Sequence, residues 1–169
     1  GAVAADQPAL ERLADGTDVL WRHGAEDVLL VGIGPMTQLA VAVAERLRAQ
    51  GIGATVVDPR WVVPVQPSIV TLAASHRLVI TIEDGIRVGG VGTRVRQVLR
   101  AALQPLQHLF VQVGFGQQQL GGATDHRQRG TQFVADVGIE LAVALHHLGQ
   151  ARGIVVERAG KLADLVVGE

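Results

Sequence analysis

The stretch "DVLLVGIGPMTQLAVAVAERLRAQGIGATVVDPR", residues 27–60, contains two kinds of periodicity in a fixed order. Residues 27–34 are a continuous apolar run closed by glycines, the pattern of a strand buried on both faces of a parallel sheet. Residues 35–50 put Met36, Leu39, Ala40, Val43 and Leu47 on one helical face, with Glu45, Arg46 and Arg48 outside it. Pro35 suits the first turn of that helix and Gly51 the position just past its end. Residues 53–60 return to the strand pattern. Strand, helix and strand within about 30 residues form a βαβ unit, whose crossover is right-handed.

The pattern continues outward. Pro64 and Pro67 exclude a central strand or a helix interior at 61–67, and residues 68–75 are predicted as a short helix. Residues 77–84 read as a third buried strand. Residues 93–103 read as a helix with Val95, Val98, Leu99 and Ala102 inward, and residues 108–115 as a fourth strand. Alternation of this kind predicts an α/β fold, with an open, mostly parallel sheet carrying helices on both faces. No internal repeat interrupts it.

Composition narrows the function. The 169 residues are 48% hydrophobic and 18% charged, in the globular range, and long enough for one domain with a real core. A formal net charge of −1 leaves no basic field for nucleic acid and no polybasic segment for a membrane surface. The chain has no cysteine, so it has no disulfide framework, which fits a reducing compartment. No run approaches the length of a spanning helix, and the first residues lack the pattern of a signal peptide.

The start lacks an initiator Met, and about 26 residues precede the first strong strand. Residues 1–26 are therefore expected to be a linker from a preceding part of a longer protein into a domain at 27–100. Past residue 101 the character changes. Eight of fourteen glutamines lie between 104 and 132, and four of six histidines lie beyond 107. Glycines and prolines break this stretch and few apolar side chains offset the entropy of ordering it. Residues 116–130 are expected to be a mobile loop, and 131–148 an amphipathic helix docking through Phe133, Val137, Leu141 and Leu145.

Several local patterns invite chemistry. Gly32, Gly34 and the later Asp58 imitate a dinucleotide fingerprint, but Thr37 stands where its third small residue belongs and Pro35 removes one N–H from the helix start. A tight turn between strand and helix is the simpler reading. His126, Arg127 and Arg129 could bind an anion, and His126 with His146 and His147 a metal, but adjacent histidines on a helix point about 100° apart. A solvated face is simpler for both. In "LVITIEDGIRVGGVGTRV", residues 78–95, Glu83 and Asp84 end a strand and Gly85, Gly89, Gly90 and Gly92 follow. Open α/β sheets place sites at such strand ends, and glycines allow close backbone approach, so a ligand or interface loop and a solvated turn both fit.

Two of these pieces belong to one longer pattern. The run D-P-R-W-V-x-P-V is matched by Asp58, Pro59, Arg60, Trp61, Pro64 and Val65, and the loop E-[DE]-x-x-x-x-G-G-x-G by Glu83, Asp84, Gly89, Gly90 and Gly92. With residues 27–52 and the lead-in "PALERLADGTDVL", they resemble the C-terminal domain of transketolase-type thiamine diphosphate enzymes, most closely the 1-deoxy-D-xylulose 5-phosphate synthase family. The resemblance covers roughly residues 1–100. Beyond it the family's G-x-P-x-x-F…H-G segment is replaced by "VGFGQQQLGGATDHRQRGTQF", through either a broken, fused or out-of-frame tail or strong divergence.

The resemblance implies a transferase that joins pyruvate to glyceraldehyde 3-phosphate with loss of CO₂, for isoprenoid and thiamine synthesis. It places thiamine diphosphate, Mg²⁺ and the catalytic glutamate on two other, N-terminal domains. This chain would then bind no cofactor, carry no catalytic residue and be inactive alone. Its expected partners are the missing N-terminal domains and a second copy in a homodimer, in the cytoplasm, with no nucleic acid and no membrane. The resemblance places the loop of Glu83, Asp84, Gly89, Gly90 and Gly92 at a domain or dimer boundary, and makes Asp58, Pro59 and Arg60 the family's characteristic strand end. Alternatives are the corresponding part of a pentose-phosphate transketolase or 2-oxo acid dehydrogenase β-subunit, and a stand-alone nucleotide-binding or interaction module.

Overall fold

The computed structural model describes residues 8–84, 89–103 and 109–114. In chain order they form β1 (Glu11–Arg12), β2 (Asp18–His23), β3 (Val28–Gly32), a 3-10 turn (Gly34–Met36), α1 (Thr37–Ala49), β4 (Ala54–Asp58), α2 (Pro67–Ser75), β5 (Leu78–Glu83), α3 (Val91–Ala102) and β6 (Leu109–Gly114). The strands make one sheet in the order β1-β2-β4-β3-β5-β6. Strands β4, β3, β5 and β6 are parallel, and β2 joins β4, and β1 joins β2, antiparallel. The predicted open, mostly parallel α/β sheet is the one observed.

The period-2 geometry of β3 divides the core. Val28 and Leu30 join Ala40, Val43, Ala44 and Leu47 of α1 on one face. Leu29 and Val31 join Ile69 and Ala73 of α2 and Val95 and Leu99 of α3 on the other. Every residue of β3 is buried, which is why it reads as an unbroken apolar run. Helix α1 lies between β3 and β4, while the next crossover passes over β3 to reach β5 on its other side. The chain thus leaves β3 and β5 towards opposite faces, and the carboxyl ends of these two neighbours form the switch point of the sheet.

Three details differ from the sequence expectation. Residues 18–23, expected in a linker, are strand β2, whose Val19 and Leu20 are buried in the core. Only its first three residues are buried, so it lacks the long apolar run that marks the central strands, and its partner β4 lies far along the chain. In α1, Thr37, Val41 and Ala44 are buried as well, because a helix pressed against a sheet covers more than a narrow stripe, while Met36 and Leu39 are only partly covered. In α3 the buried set is Gly92, Val95 and Leu99, and Ala102, in the last turn, is exposed.

The fourth predicted strand is present as β6. The expected loop at 116–130, the helix at 131–148 and the groups His126, Arg127, Arg129, His146 and His147 lie outside the described residues. Among the described residues no helix is long and apolar enough to cross a membrane.

Candidate functional site

The glycine-rich segment after β5 is organised by the acid that precedes it. Glu83 is the last residue of β5 and only 3% exposed. Its Oε2 accepts the Val91 N–H at 2.7 Å and its Oε1 the Gly92 N–H at 3.0 Å. Both donors belong to the first turn of α3, where helix geometry leaves N–H groups without an intrahelical partner. Gln112 of β6 donates from Nε2 to Oε1 of Glu83 at 2.9 Å, and its own Oε1 accepts the Thr93 hydroxyl at 3.4 Å. One carboxylate thereby ties β5, β6 and α3 together.

Gly92 shows why a side chain is excluded there. A Cβ at this position would stand 2.5 Å from the Thr81 hydroxyl and 2.7 Å from Cγ of Gln112. The helix start therefore rests directly on the sheet. The partial positive charge of a helix N-terminus favours an anion, and here that anion is the chain's own Glu83. Asp84 is exposed, one residue beyond β5, and residues 85–88 lie outside the described set.

The second predicted segment follows β4. Asp58 ends the strand, and its Oδ1 accepts the Arg60 N–H at 2.8 Å. Arg60 has a positive φ of 59°, which an L-residue adopts at a cost, and Trp61 N–H donates to Pro59 O at 2.6 Å. The tight turn sends Arg60 Nη1 to 3.7 Å from Asp18 of β2. Trp61 and Val63 stand 70% and 69% exposed beside it. The fingerprint-like glycines have local tasks. A Cβ at Gly32 would meet Thr37 Cα at 2.6 Å, so Gly32 permits close packing of β3 against the start of α1, and Gly34 adopts φ 57° to turn the chain.

The lead-in, read above only as a linker and as part of the family resemblance, carries a carboxylate framework. Asp18 is 4% exposed and holds a bidentate pair with Arg12, Oδ1 to Nε at 2.6 Å and Oδ2 to Nη2 at 2.9 Å. The Arg12 hydrogen bond keeps the Asp18 carboxyl below the usual carboxylate range against the opposing effect of burial, with help from the Arg12 and Arg60 charges. Asp15 accepts the Thr17 N–H through Oδ1 and the Ser68 N–H through Oδ2, at 3.1 and 2.8 Å. It thus caps α2 from 53 residues away. Burial works against ionisation of Asp15, and the hydrogen bonds from Ser68 and Thr17 outweigh it, so its carboxyl also lies below the ordinary value. The signal available in the sequence was "DGTDV", a Gly-containing turn between two short polar-apolar runs.

Segments 8–12 and 58–62 wall a common open cleft of about 930 Å³ at the carboxyl edge of the sheet. Ile33, Gly34 and Thr37, near the start of α1, also line it. Its acids and bases face one another: Asp18 with Arg12 and Arg60, and Asp58 against the backbone of Arg60. Among the described residues no group of three or more His, Asp or Glu side chains gathers as a metal site. His76 is buried away from this edge, with Nδ1 2.7 Å from Leu72 O and Nε2 2.9 Å from the Thr55 hydroxyl. A carbonyl only accepts, so Nδ1 carries the proton and Nε2 accepts from Thr55. Burial pushes the His76 pKa down.

Comparison with known proteins gives a consistent picture. The family profile described as transketolase, C-terminal domain, matches residues 18–122. A 1-deoxy-D-xylulose-5-phosphate synthase of Leifsonia xyli subsp. xyli is 65% identical over 102 residues, and one of Clavibacter sepedonicus 61% identical over 102 residues. Each alignment takes in 60% of this chain and 16% of the relative, so the chain spans about a sixth of those proteins. Among solved structures, a split-gene transketolase, an inactive β4 tetramer, superposes with a TM-score of 0.52 at 34% identity, over 58% of this chain and 31% of that one.

Proposed function

We propose, from the premise that this chain belongs to the transketolase C-terminal domain family, that it serves as the C-terminal domain of a 1-deoxy-D-xylulose-5-phosphate synthase. The enzyme condenses pyruvate with glyceraldehyde 3-phosphate, releases CO₂ and supplies precursors for isoprenoids and thiamine. It works in the cytoplasm as a homodimer. The observation that carries this reading is the identity of 65% over 102 residues with a synthase of that name, against 34% with the split-gene transketolase.

The chain's own part is structural. Thiamine diphosphate supplies the carbanion chemistry when bound, with Mg²⁺ holding its diphosphate. The described residues do not fit that group. The seat for an anion at α3 is filled by Glu83, and no cluster of acids or histidines among them offers a metal site. We assign cofactor and catalysis to the other domains of the enzyme. The loop of Glu83, Asp84, Gly89, Gly90 and Gly92 serves as an interface element, Asp58, Pro59 and Arg60 form the family's strand end, and residues 1 to about 17 include the lead from the preceding domain.

The test is an assay with pyruvate, glyceraldehyde 3-phosphate, thiamine diphosphate and Mg²⁺. A full-length polypeptide ending in this domain should form 1-deoxyxylulose 5-phosphate, and the 169-residue chain alone should form none. Product from the chain alone would reject the structural assignment, and a full-length enzyme that used only pentose phosphates would reject the substrate.

A further inference from the structure

We propose that the rim formed by residues 10–12 and 60–63 is the docking face for the preceding domains of the same polypeptide, with Trp61 as its anchor. The proposal rests on the reading above, in which this domain is one part of an enzyme about six times its matched length. Leu10, Trp61 and Val63 are 67%, 70% and 69% exposed, the large apolar side chains most open to solvent among the described residues. They occur on the two segments that wall one cleft, where Pro8, Ala9 and Arg12 face Asp58, Arg60 and Val62. Leu10 is fixed by donating its N–H to Val19 O at 2.8 Å, beside β2.

The Trp61 backbone is held in place. The Asp58–Arg60 hydrogen bond, the positive φ of Arg60 and the Trp61–Pro59 hydrogen bond set the turn. The Arg12–Asp18–Arg60 cluster ties it to the opposite wall. A preordered backbone loses little entropy on docking, and Trp in a water-excluding pocket is the side chain that most often dominates an interface. Arg12 and Arg60 both pair with Asp18, and Leu10, Trp61 and Val63 supply the rim's apolar surface, so the complementary surface carries a concave apolar seat for the indole. A small ligand gains little from two exposed aliphatic side chains and an indole outside the cleft lining. A covering protein surface removes all three from water.

The experiment compares backbone amide exchange at residues 61–63 in the 169-residue chain and in the full-length enzyme, with Val28–Val31 of β3 as the internal reference. Docking slows these amides in the full-length enzyme by on the order of tenfold or more, and Trp61→Ala there returns them to the rate of the isolated chain with β3 still protected. Equal rates in both proteins overturn the proposal. So does protection in the isolated chain that grows with protein concentration, which would make a second copy the occupant. An enzyme that is active but unprotected at 61–63 sinks only this face. One that is protected but makes no 1-deoxyxylulose 5-phosphate sinks only the assigned activity.

Discussion

Glu83 joins three elements through one residue, because three donors from α3 and β6 meet on one buried carboxylate at the end of β5. Glu83→Ala would leave the Val91 and Gly92 N–H groups and the Gln112 amide without that acceptor, and should cost about 2–4 kcal/mol of stability in urea unfolding, as removal of a buried acceptor does. Glu83→Gln keeps the shape and one acceptor oxygen, so its loss should be smaller, by about half. Equal stability of the Ala variant and the parent would mean that α3 is held by packing alone. Gly92→Ala tests the other side of the same contact. Its Cβ, 2.5 Å from the Thr81 hydroxyl, should cost about 1–3 kcal/mol through overpacking. The Thr81 hydroxyl itself is fully buried with no hydrogen-bond partner among the described residues. Thr81→Val should therefore be neutral or stabilising, since the lone hydroxyl is replaced by a methyl of similar size. The acid and the glycines were legible as a motif in the sequence. That the acid serves the glycines was not, because the bonds span eight and nine residues across a turn and close only when α3 lies on the sheet.

At the level of elements, the two helices on one face are both started by borrowed carboxylates, α3 by Glu83 and α2 by Asp15. Neither cap is the residue preceding its helix, so the usual N-cap signal is missing from the sequence. Asp15→Ala should destabilise the domain by about 1 kcal/mol, the typical worth of a cap, with the loss read in thermal or urea unfolding. The other end of α2 gives a pH dependence. His76 follows the helix and joins Leu72 to Thr55 of β4 as a neutral ring, and burial lowers its pKa. A folded pKa below the unfolded value near 6.5 means that the unfolded chain binds the proton first. The contribution of His76 is thus present above about pH 6.5 and is lost as pH falls towards its folded value. Unfolding free energy measured from pH 7.5 to 5 should decline, and His76→Phe should flatten that decline even if its overall stability is lower. An unchanged slope would place the titration elsewhere. The lowered carboxyls of Asp15 and Asp18 act below the ordinary carboxylate range and leave this window clear.

On the scale of the whole molecule, the lead-in decides how large the cooperative unit is. A chain beginning at residue 18, where the family match starts, keeps β2 but loses β1, the Arg12 partner of the buried Asp18 and the Asp15 cap of α2. It should unfold at lower urea than the complete chain by more than the Asp15→Ala variant does, and the excess should shrink as pH falls through the titration of Asp18. Identical midpoints would restore the reading of residues 1–17 as a plain linker. The parallel core was legible in one dimension, since β3, β4 and β5 are buried on both faces and so are mainly apolar, with Thr55, Thr81 and Glu83 as buried exceptions, and α1 alternates with them at its own period. The family was legible there too, because the runs after β4 and β5 are specific in residue and spacing. The pairing of Asp18–His23 with β4, the capping by Asp15 and Glu83 of helices they do not adjoin, and the exposure of Trp61 emerge only in the folded chain. A hydrophobic period is local and survives in one dimension, whereas a hydrogen bond between distant residues, or the exposure of an indole, exists only after the chain has folded around it.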